Sequence, residues 1–368
     1  PEEELREPLG ALLRQPFDDK DKRTARRLFA RVLEARGGLK IHTIHGFCER
    51  LLQRFPLEAT VTPNFTVLDE TTAQHIRNQA FDTVAMEAAS NPHSALGGAL
   101  ARIVGLTSED QILEVIGEIL SKRAALQRIV RRHMEQAPAA DWPSVESEAL
   151  KTFFRVAERD EAALTEEQAN VLSDDQLDTV LTALADFGTA KTDKSREDTL
   201  RRARQTSGRA RAALFNAAFL TQKGEPRARL VTKAVADNAP GIVDMLDEAK
   251  IAFVRLETDL AHLRVVEATG AVLTFADAVQ TAYDAAKRRE AALDYDDLIV
   301  KTLDLLSRSN AAAWVLYTIA GGIDHILVDE AQDTNPEQWS IVEALAAEFL
   351  AGASARPQPR TLFAVGDE

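Results

Sequence analysis

The sequence contains very little cysteine, few aromatic residues and no long apolar run. Cys48 is the single cysteine among 368 residues, which excludes an intramolecular disulfide and a four-cysteine metal site. No stretch approaches the roughly 18 uncharged apolar residues of a membrane-spanning helix. The first residues, PEEELREPLG, lack the basic and apolar regions of a secretory signal. These absences predict a protein of the reducing cytoplasm, with no membrane as its partner.

Positive charge is also scarce. The chain has 44 Lys and Arg residues against 58 Asp and Glu residues, and the net charge of -14 argues against a protein that coats nucleic acid non-specifically. Aromatic residues make up 6%, which limits the surface available for stacking on bases. Any contact with nucleic acid must therefore use local basic clusters, and the candidates are Lys20–Arg31, Lys122–Arg132 and Lys191–Arg211. For each cluster, the alternative is a solvated helix face.

Short apolar runs lie near both ends of the chain, whereas helical patterns fill its middle. Leu39–Ile44, Ile323–Val328 and Leu362–Val365 are rich in β-branched side chains, which predicts buried strands of a parallel sheet. Between about Thr71 and Arg289, apolar residues recur at spacings of three and four, which is typical of amphipathic helices. The sequence therefore predicts an α/β domain that is split by a helical insertion.

The predicted fold class is α/β, although the chain is predominantly helical overall. Residues 1–66 and 291–368 are expected to form the two parts of the parallel-sheet domain, and residues 67–290 the all-α insertion. The linkers between them are expected at 62–69 and 291–297. Because the chain begins at a proline and stops directly after an apolar run, we expect it to be an excerpt from a longer protein.

Two adjacent carboxylates follow the second predicted strand. Asp329 and Glu330 would lie at the carboxyl edge of a parallel sheet, where a nucleoside triphosphatase carries its catalytic groups. The first carboxylate is suited to hold Mg²⁺, commonly through water, and the second to accept a proton from the attacking water. A helix is predicted directly afterwards, with Asn335 as N-cap, Pro336 in the first position and Gln338 three residues after the cap. The alternative is a carboxylate pair that merely ends a strand.

Two further patterns bear on metal and phosphate binding. His42, His45 and Cys48 are spaced by three, but there is no second cysteine and no obvious fourth ligand, so a buried Cys48 is favoured over zinc. A Walker A phosphate loop needs Gly-Lys followed by Thr or Ser, and the sequence has no Gly-Lys dipeptide. Residues 188–192, GTAKT, lack the second glycine and follow no predicted strand.

Four segments together resemble the superfamily-one helicases of the UvrD/RecB type. VDEAQDTNPEQ at 328–338 resembles motif II in its DExQD form, and KIHTIHGFCERLL at 40–52 resembles the segment that contacts single-stranded DNA. LFAVGD at 362–367 resembles the start of motif III, and LDYDDLI at 293–299 resembles the return from the helical insertion. Within the family, FPLEA at 55–59 and the long insertion look most like AddA, the helicase-nuclease subunit of AddAB, in its alphaproteobacterial form.

The resemblance implies a fold, two cofactors and a role for each matched residue. The fold would be a RecA-like motor domain, 1A, interrupted by a helical domain, 1B, and the cofactors would be ATP and Mg²⁺. The implied roles are these: Asp329 as Mg²⁺ ligand and nucleotide contact, Glu330 as catalytic base, Gln332 and Asp333 as links from the nucleotide to the DNA motifs, Gly366 and Asp367 as the start of the coupling motif, and Thr43, His45 and Gly46 as contacts to the DNA strand.

The resemblance also implies a function and partners. ATP hydrolysis would drive translocation on single-stranded DNA and duplex unwinding in double-strand break repair and recombination, together with an AddB-like subunit. At least one basic cluster would touch DNA. The phosphate loop would lie upstream of Pro1, so we expect the isolated fragment to be inactive. Two alternatives stay open: a non-catalytic helical module that binds DNA or a partner on a degenerate NTPase core, and a UvrD-type helicase without nuclease activity.

Overall fold

The structure, a computed structural model, describes residues 18–34, 41–122, 126, 129, 130, 132, 141–307, 311–320, 323, 325–350 and 360–367. These residues are mostly helical, with two small parallel sheets, and they form two compact units. The first unit lies within residues 1–70 and 291–368, and the second is Thr71–Glu290. No helix in the described ranges is both long enough and apolar enough to cross a membrane.

The helices and strands, in chain order, are α1 (Asp19–Glu34), α2 (Ile44–Arg54), β1 (Thr66–Val67), α3 (Glu70–Ser90), α4 (Ala95–Val104), α5 (Glu109–Ser121), α6 (Trp142–Phe153), α7 (Glu161–Ala169), α8 (Asp174–Phe187), α9 (Lys191–Arg204), α10 (Gly208–Phe219), α11 (Lys233–Asn238), α12 (Pro240–Arg289), β2 (Ala292–Leu293), α13 (Tyr295–Ser307), α14 (Ala312–Ala320), β3 (His325–Val328), α15 (Pro336–Leu350) and β4 (Thr361–Ala364). A 3₁₀ turn, Ala331–Asp333, separates β3 from α15.

The core of the first unit is formed by α2, α13, α14 and α15. Helix α2 contributes Cys48, Leu51 and Leu52, whose spacing places them on one helix face. Phe55, directly after α2, meets Trp314 of α14 edge to face, with ring centroids 5.4 Å apart. Helix α13 packs on each of the other three helices. It is therefore the element on which this unit is assembled.

Strands β3 and β4 form a parallel ladder in which His325 pairs with Thr361 and Val328 with Ala364. The strands predicted at 323–328 and 362–365 are thus confirmed, with slightly different bounds. Their predicted burial is wrong, because Leu327 is 75% exposed and Phe363 is 59% exposed. Among the described residues these strands pair only with each other, so no further strand covers their outer edges.

The strand predicted at 39–44 is not present in its described part. Leu39 and Lys40 lie outside the described residues, 41–43 have no regular structure, and Ile44 begins α2. The reason is local. Thr43 caps the helix, and its Oγ1 accepts a hydrogen bond from the backbone N–H of Gly46 at 3.1 Å. Ile41 is 80% exposed, so the apolar run does not enter a core.

The two segments predicted as linkers contain a second parallel ladder. Thr66 pairs with Ala292 and Val67 with Leu293, so the segments 62–69 and 291–297 are hydrogen-bonded to each other. The ladder continues through the N–H of Leu68, which donates to the carbonyl of Leu293 at 2.8 Å. Simple linkers were therefore the wrong prediction, since the chain leaves and re-enters the first unit through paired strands.

The second unit is helical throughout its described residues, as the sequence predicts. Its longest element, α12, has 50 residues, which corresponds to about 75 Å at 1.5 Å per residue. Helices α4, α6 and α7 pack along it. A core of apolar residues from α8, α9, α10 and the first part of α12 includes Leu184, Leu200, Phe215 and Phe253, each nearly or fully inaccessible to solvent.

The loops predicted inside the insertion differ in outcome. The loop at 221–226 is confirmed, since a bridge between Leu220 and Pro226 closes it. In the loop predicted at 137–143, residues 137–140 lie outside the described part of the chain. Trp142 and Pro143 already belong to α6, because Asp141 accepts a hydrogen bond from the N–H of Ser144 and caps that helix.

Candidate functional site

The carboxylate pair lies at the carboxyl end of β3, as predicted. Asp329 and Glu330 are both exposed. Glu330 has φ 52° and ψ 48°, a left-handed conformation that costs a residue with a side chain on the order of 1 kcal/mol. Oδ1 of Asp329 accepts a hydrogen bond from the backbone N–H of Glu330 at 3.1 Å. The sharp turn thus separates the two carboxylates at the strand end.

Gln332 connects the carboxylate pair to the segment after β4. Its Nε2 donates a hydrogen bond to Oε2 of Glu330 at 2.6 Å. Its Oε1 accepts a hydrogen bond from the backbone N–H of Asp367 at 3.0 Å. Both contacts require the same orientation of the amide, because only the nitrogen can donate to a carboxylate and only the oxygen can accept from an N–H. One side chain thus bridges predicted motifs II and III.

Gly366 provides the space that this bridge needs. A Cβ atom on Gly366 would lie 2.5 Å from Oε1 of Gln332 and 3.2 Å from the backbone nitrogen of Ala331. The backbones are also joined, since the N–H of Ala331 donates to the carbonyl of Val365 at 2.9 Å. The structure therefore brings Glu330, Gln332, Gly366 and Asp367 together in one site.

Asp333 and the following helix complete the segment. The backbone N–H of Asp333 donates to the carbonyl of Glu330 at 3.0 Å, which closes the 3₁₀ turn, and its side chain is exposed. Asn335 and Gln338 exchange hydrogen bonds between side chain and backbone, at 2.8 Å and 3.2 Å. With Pro336 as the first helical residue, the predicted start of α15 is confirmed.

The predicted DNA-contacting residues lie at the start of α2. Thr43, as the N-cap, holds its hydroxyl against the N–H of Gly46, and a Cβ on Gly46 would lie 3.2 Å from that oxygen. His42 is exposed and contacts Arg50, with 3.3 Å between Nε2 and Nη1. The free N–H groups of a helix N-terminus form a site that favours anions. Thr43 and Gly46 therefore lie beside backbone donors suited to phosphate oxygens.

His45 packs against a residue that the sequence analysis did not identify. Its ring meets Tyr295 of α13 edge to face, with centroids 5.4 Å apart and planes at 69°. Burial lowers the pKa of His45, and the neighbouring carboxylate of Asp296 offsets part of that effect. At neutral pH the site therefore presents a neutral imidazole.

The sequence signal for Tyr295 was the weak LDYDDLI match, which places it in a motif without indicating its contact. Within that segment, Asp294 and Asp297 are buried and cap α13 reciprocally. Oδ1 of Asp294 accepts from the N–H of Asp297 at 2.8 Å, and Oδ2 of Asp297 accepts from the N–H of Asp294 at 3.2 Å. These carboxylates hold the helix start that carries Tyr295.

Metal binding by the His42, His45 and Cys48 pattern is not supported. Cys48 is fully buried, and burial raises the pKa of its thiol to about 11, whereas a metal ligand must be a thiolate. Within the described ranges no group of three or more His, Cys, Asp and Glu side chains is arranged to hold a metal ion. The pair Asp329 and Glu330 suits Mg²⁺, which is commonly bound through one or two carboxylates together with waters and phosphates.

The segment at 188–192 is not a phosphate loop. Gly188 ends α8, where its N–H donates to the carbonyl of Leu184, and Lys191 begins α9. It therefore joins two helices, whereas a phosphate loop follows a strand. Of the basic clusters, Lys20–Arg31 lies on α1, Lys191–Arg211 lies on α9 and α10, and most of 123–132 lies outside the described residues.

Comparison with known proteins gives matches to helicases. Residues 4–368 match the family described as the UvrD/REP helicase N-terminal domain. An ATP-dependent helicase/nuclease subunit of Lactiplantibacillus plantarum is 26% identical over 359 residues, which are 90% of this chain and 27% of that protein. A protein of the same name from Latilactobacillus sakei is 33% identical over 123 residues, which are 33% of this chain and 12% of that protein. The ATP-dependent DNA helicase PcrA of Leuconostoc citreum is 43% identical over 68 residues, 18% of this chain and 9% of that protein.

The family match extends over nearly the whole chain and includes all four segments on which the resemblance was based. The chain itself spans 27% of the length of the L. plantarum relative. The predicted relationship to UvrD-type superfamily-one helicases is thereby confirmed, and the chain belongs to the UvrD/REP helicase N-terminal domain family.

Proposed function

We propose that this chain is the first motor region of an ATP-dependent DNA helicase of the AddA type, in which it forms a RecA-like domain 1A with domain 1B inserted. The observation that carries the proposal is the bridge from Glu330 through Gln332 to Asp367. It joins the carboxylate suited to hydrolysis to the segment that resembles the coupling motif. Membership in the UvrD/REP family and the similarity to the helicase/nuclease of L. plantarum support it.

In this proposal the carboxylates divide the chemistry of ATP hydrolysis. Asp329 holds Mg²⁺, commonly through water, and the bound ion neutralises charge on the nucleotide phosphates. Glu330 accepts the proton of the attacking water at a carboxylate oxygen. The amide of Gln332 fixes that carboxylate from one side and leaves its other oxygen available to the water. Asp333, Gly366 and Asp367 act beside them, as links to the DNA-binding segments.

DNA contact is proposed at the start of α2. The hydroxyl of Thr43 and the backbone N–H groups near Gly46 approach phosphate oxygens of a single strand. His45 is held by Tyr295 and, being neutral at pH 7, contributes a hydrogen bond rather than a positive charge. Because α2 and α15 both pack on α13, the two proposed sites belong to one helical assembly.

The finer assignment follows the AddA resemblance. We propose translocation on single-stranded DNA and duplex unwinding in double-strand break repair and recombination, in the cytoplasm, together with nuclease activity and an AddB-like subunit. The alphaproteobacterial subtype is part of the same proposal. Since residues 1–368 contain no Gly-Lys dipeptide, they lack a Walker A loop and are expected to hydrolyse no ATP at a useful rate by themselves.

The test is ATP hydrolysis by the full-length protein, with and without single-stranded DNA. Glu330→Gln is expected to abolish DNA-stimulated hydrolysis while DNA binding is retained, because the variant keeps the shape but loses the base. Glu343→Gln, an exposed glutamate on α15, is the control with the same change of charge. Hydrolysis at the wild-type rate in Glu330→Gln would refute the catalytic assignment.

The second candidate function is a non-catalytic module that binds DNA or a partner protein. The observation in its favour is the missing Gly-Lys dipeptide. It predicts DNA binding without any DNA-stimulated hydrolysis in the wild-type protein. A UvrD-type helicase without nuclease is the third, supported by the match to PcrA, and it predicts unwinding without degradation of the DNA.

A further inference from the structure

The Lys191–Arg211 cluster divides into two halves with different surroundings. In its C-terminal half, arginines are neutralised by nearby carboxylates, and the pairs are Arg201 with Glu197, Arg204 with Asp174 and Asp178, and Arg211 with Asp174. These arginines hold α8, α9 and α10 together, so most of their charge is used inside the unit. The clustering of basic residues in the sequence therefore overstates the free charge of this half.

The N-terminal half is joined instead to a distant segment of the chain. Oδ1 of Asp193 accepts a hydrogen bond from the N–H of Thr232 at 3.1 Å, and Oδ2 accepts from its hydroxyl at 2.6 Å. Nη1 of Arg196 donates to the carbonyl of Leu230 at 2.6 Å. Segments 191–196 and 227–233 therefore lie side by side, and together we call them the basic surface.

The basic surface carries six basic residues and one acid. Lys191, Lys194, Arg229 and Lys233 are exposed and form no ion pair within the described part of the chain. The acid, Asp193, is 1% exposed, and both of its oxygens are bound to Thr232. In a chain with a net charge of -14, this is a local excess of about five positive charges.

Arg196 and Arg227 form the half-buried centre of the basic surface. Burial lowers the pKa of Arg196, and the neighbouring positive charge of Arg227 lowers it further. Nε of Arg227 is buried and has no hydrogen-bond partner among the described residues. Two neighbouring guanidinium groups that donate only to backbone carbonyls can each bind an added anion.

We propose that the basic surface binds the phosphate backbone of a nucleic acid. Exposed lysines and arginines surround the half-buried pair Arg196 and Arg227, which suits a ligand that repeats its negative charge along a line rather than a single ion. The inference rests on the proposed function for its ligand class. It adds to that function a DNA contact in the second unit, on named residues outside every matched motif.

The experiment compares two triple variants of the full-length protein. The first replaces exposed residues of the basic surface, Lys194→Gln, Arg229→Gln and Lys233→Gln. The control replaces three exposed arginines of the same unit that also form no ion pair among the described residues, Arg202→Gln, Arg209→Gln and Arg255→Gln. Both triples change the net charge equally, and both remove side chains without internal partners, so folding should be preserved. The measurement is the affinity for duplex DNA as a function of salt, beside ATPase stimulated by a short single strand.

The first triple is expected to bind duplex DNA at least about tenfold more weakly near 0.1 M salt, with a salt slope reduced by about 0.9 per lost phosphate contact. The control triple is expected to bind like the wild type. Equal weakening in both triples would overturn the inference, since it would reflect net charge alone. An acidic polypeptide is the other possible ligand, so an effect confined to polyglutamate would also overturn it.

The result separates this inference from the proposed function. If the first triple binds duplex DNA normally while ATPase remains DNA-stimulated, the basic surface is refuted and the helicase proposal stands. If the wild type shows no DNA-stimulated ATPase but still loses duplex affinity in the first triple, the helicase proposal is refuted and the basic surface stands.

Discussion

Gln332 fills the space that a side chain at residue 366 would occupy. Its Oε1 lies 2.5 Å from the position of a Cβ on Gly366 and accepts the N–H of Asp367, while its Nε2 holds Glu330. The orientation of the carboxylate thus depends on a glycine in the neighbouring strand segment. A conformational change at 366–367 would be transmitted to Glu330 through one amide group.

Gly366→Ala is therefore expected to displace the amide of Gln332 and release Glu330. Misplacement of a catalytic group by about 1 Å costs on the order of a hundredfold, so a 10- to 100-fold loss of kcat in DNA-stimulated ATPase is expected, with little change in KM. Gly98→Ala is the control, because a Cβ there meets nothing within 4 Å. If both residues act through the same amide, adding Gln332→Ala to Gly366→Ala causes no further loss. Additive losses would contradict the coupling.

Cys48 is expected to resist alkylation in the folded protein. It is fully buried, and burial raises its pKa to about 11 from about 9, so the thiolate is absent at pH 8. Between those values the unfolded chain loses its proton first, so the contribution of Cys48 to stability is constant below pH 9 and decreases as the pH rises above it. The measurement is iodoacetamide labelling of the Cys48 peptide by mass spectrometry, with and without urea. Rapid labelling of the native protein at pH 8 would show that the thiol is accessible.

Arg211→Ala is expected to loosen the packing of α8, α9 and α10. Arg211 is 8% exposed, and its guanidinium donates to Asp174 at 2.9 Å and to the carbonyl of Leu172 at 2.7 Å. Since Asp174 is half exposed, most of the expected loss of about 1–3 kcal/mol comes from the lost charged hydrogen bonds and the unsatisfied buried carbonyl. Arg209→Ala in the same helix, exposed and without a partner among the described residues, should change stability by less than about 0.5 kcal/mol. Hydrogen exchange of the α9 and α10 peptides measures both; equal protection in the two variants would count against the prediction.

Gly270 permits α6 to approach α12 closely. A Cβ on Gly270 would lie 2.5 Å from Oγ of Ser147, so Gly270→Ala is expected to destabilise this contact by about 1–3 kcal/mol. Gly117→Ala, where a Cβ meets nothing within 4 Å, should instead stabilise α5 by about 0.5–1 kcal/mol. In a Ser147→Ala background the penalty at Gly270 should disappear. Local hydrogen exchange decides the case, and a penalty that persists without Ser147 would assign it to another neighbour.

Local features of the fold could be predicted from the sequence, and the contacts between distant segments could not. Asn335, Pro336 and Gln338 specify the start of α15 through their own hydrogen bonds, so sequence alone was sufficient there. The run at 39–44 failed because the capping by Thr43 outweighs its β-branched composition.

The bridge through Gln332 depends on the register of β3 and β4, which lie more than thirty residues apart and are set by pairing rather than by local pattern. The two-residue strands β1 and β2 are too short to produce any periodicity in the sequence. The candidate site residues could be named from the motif pattern, but the role of Gly366 as the seat of an amide could be seen only in the structure.

The parallel ladder of β1 and β2 makes the second unit a modular part. Adjacent parallel strands must be joined by a crossover of about a dozen residues or more, and here the whole segment Thr71–Glu290 serves as that crossover. A chimaera in which a single designed helix replaces this segment would thus keep the pairing of Thr66 with Ala292. Evolution could likewise exchange or enlarge the crossover without redesigning the sheet into which it returns.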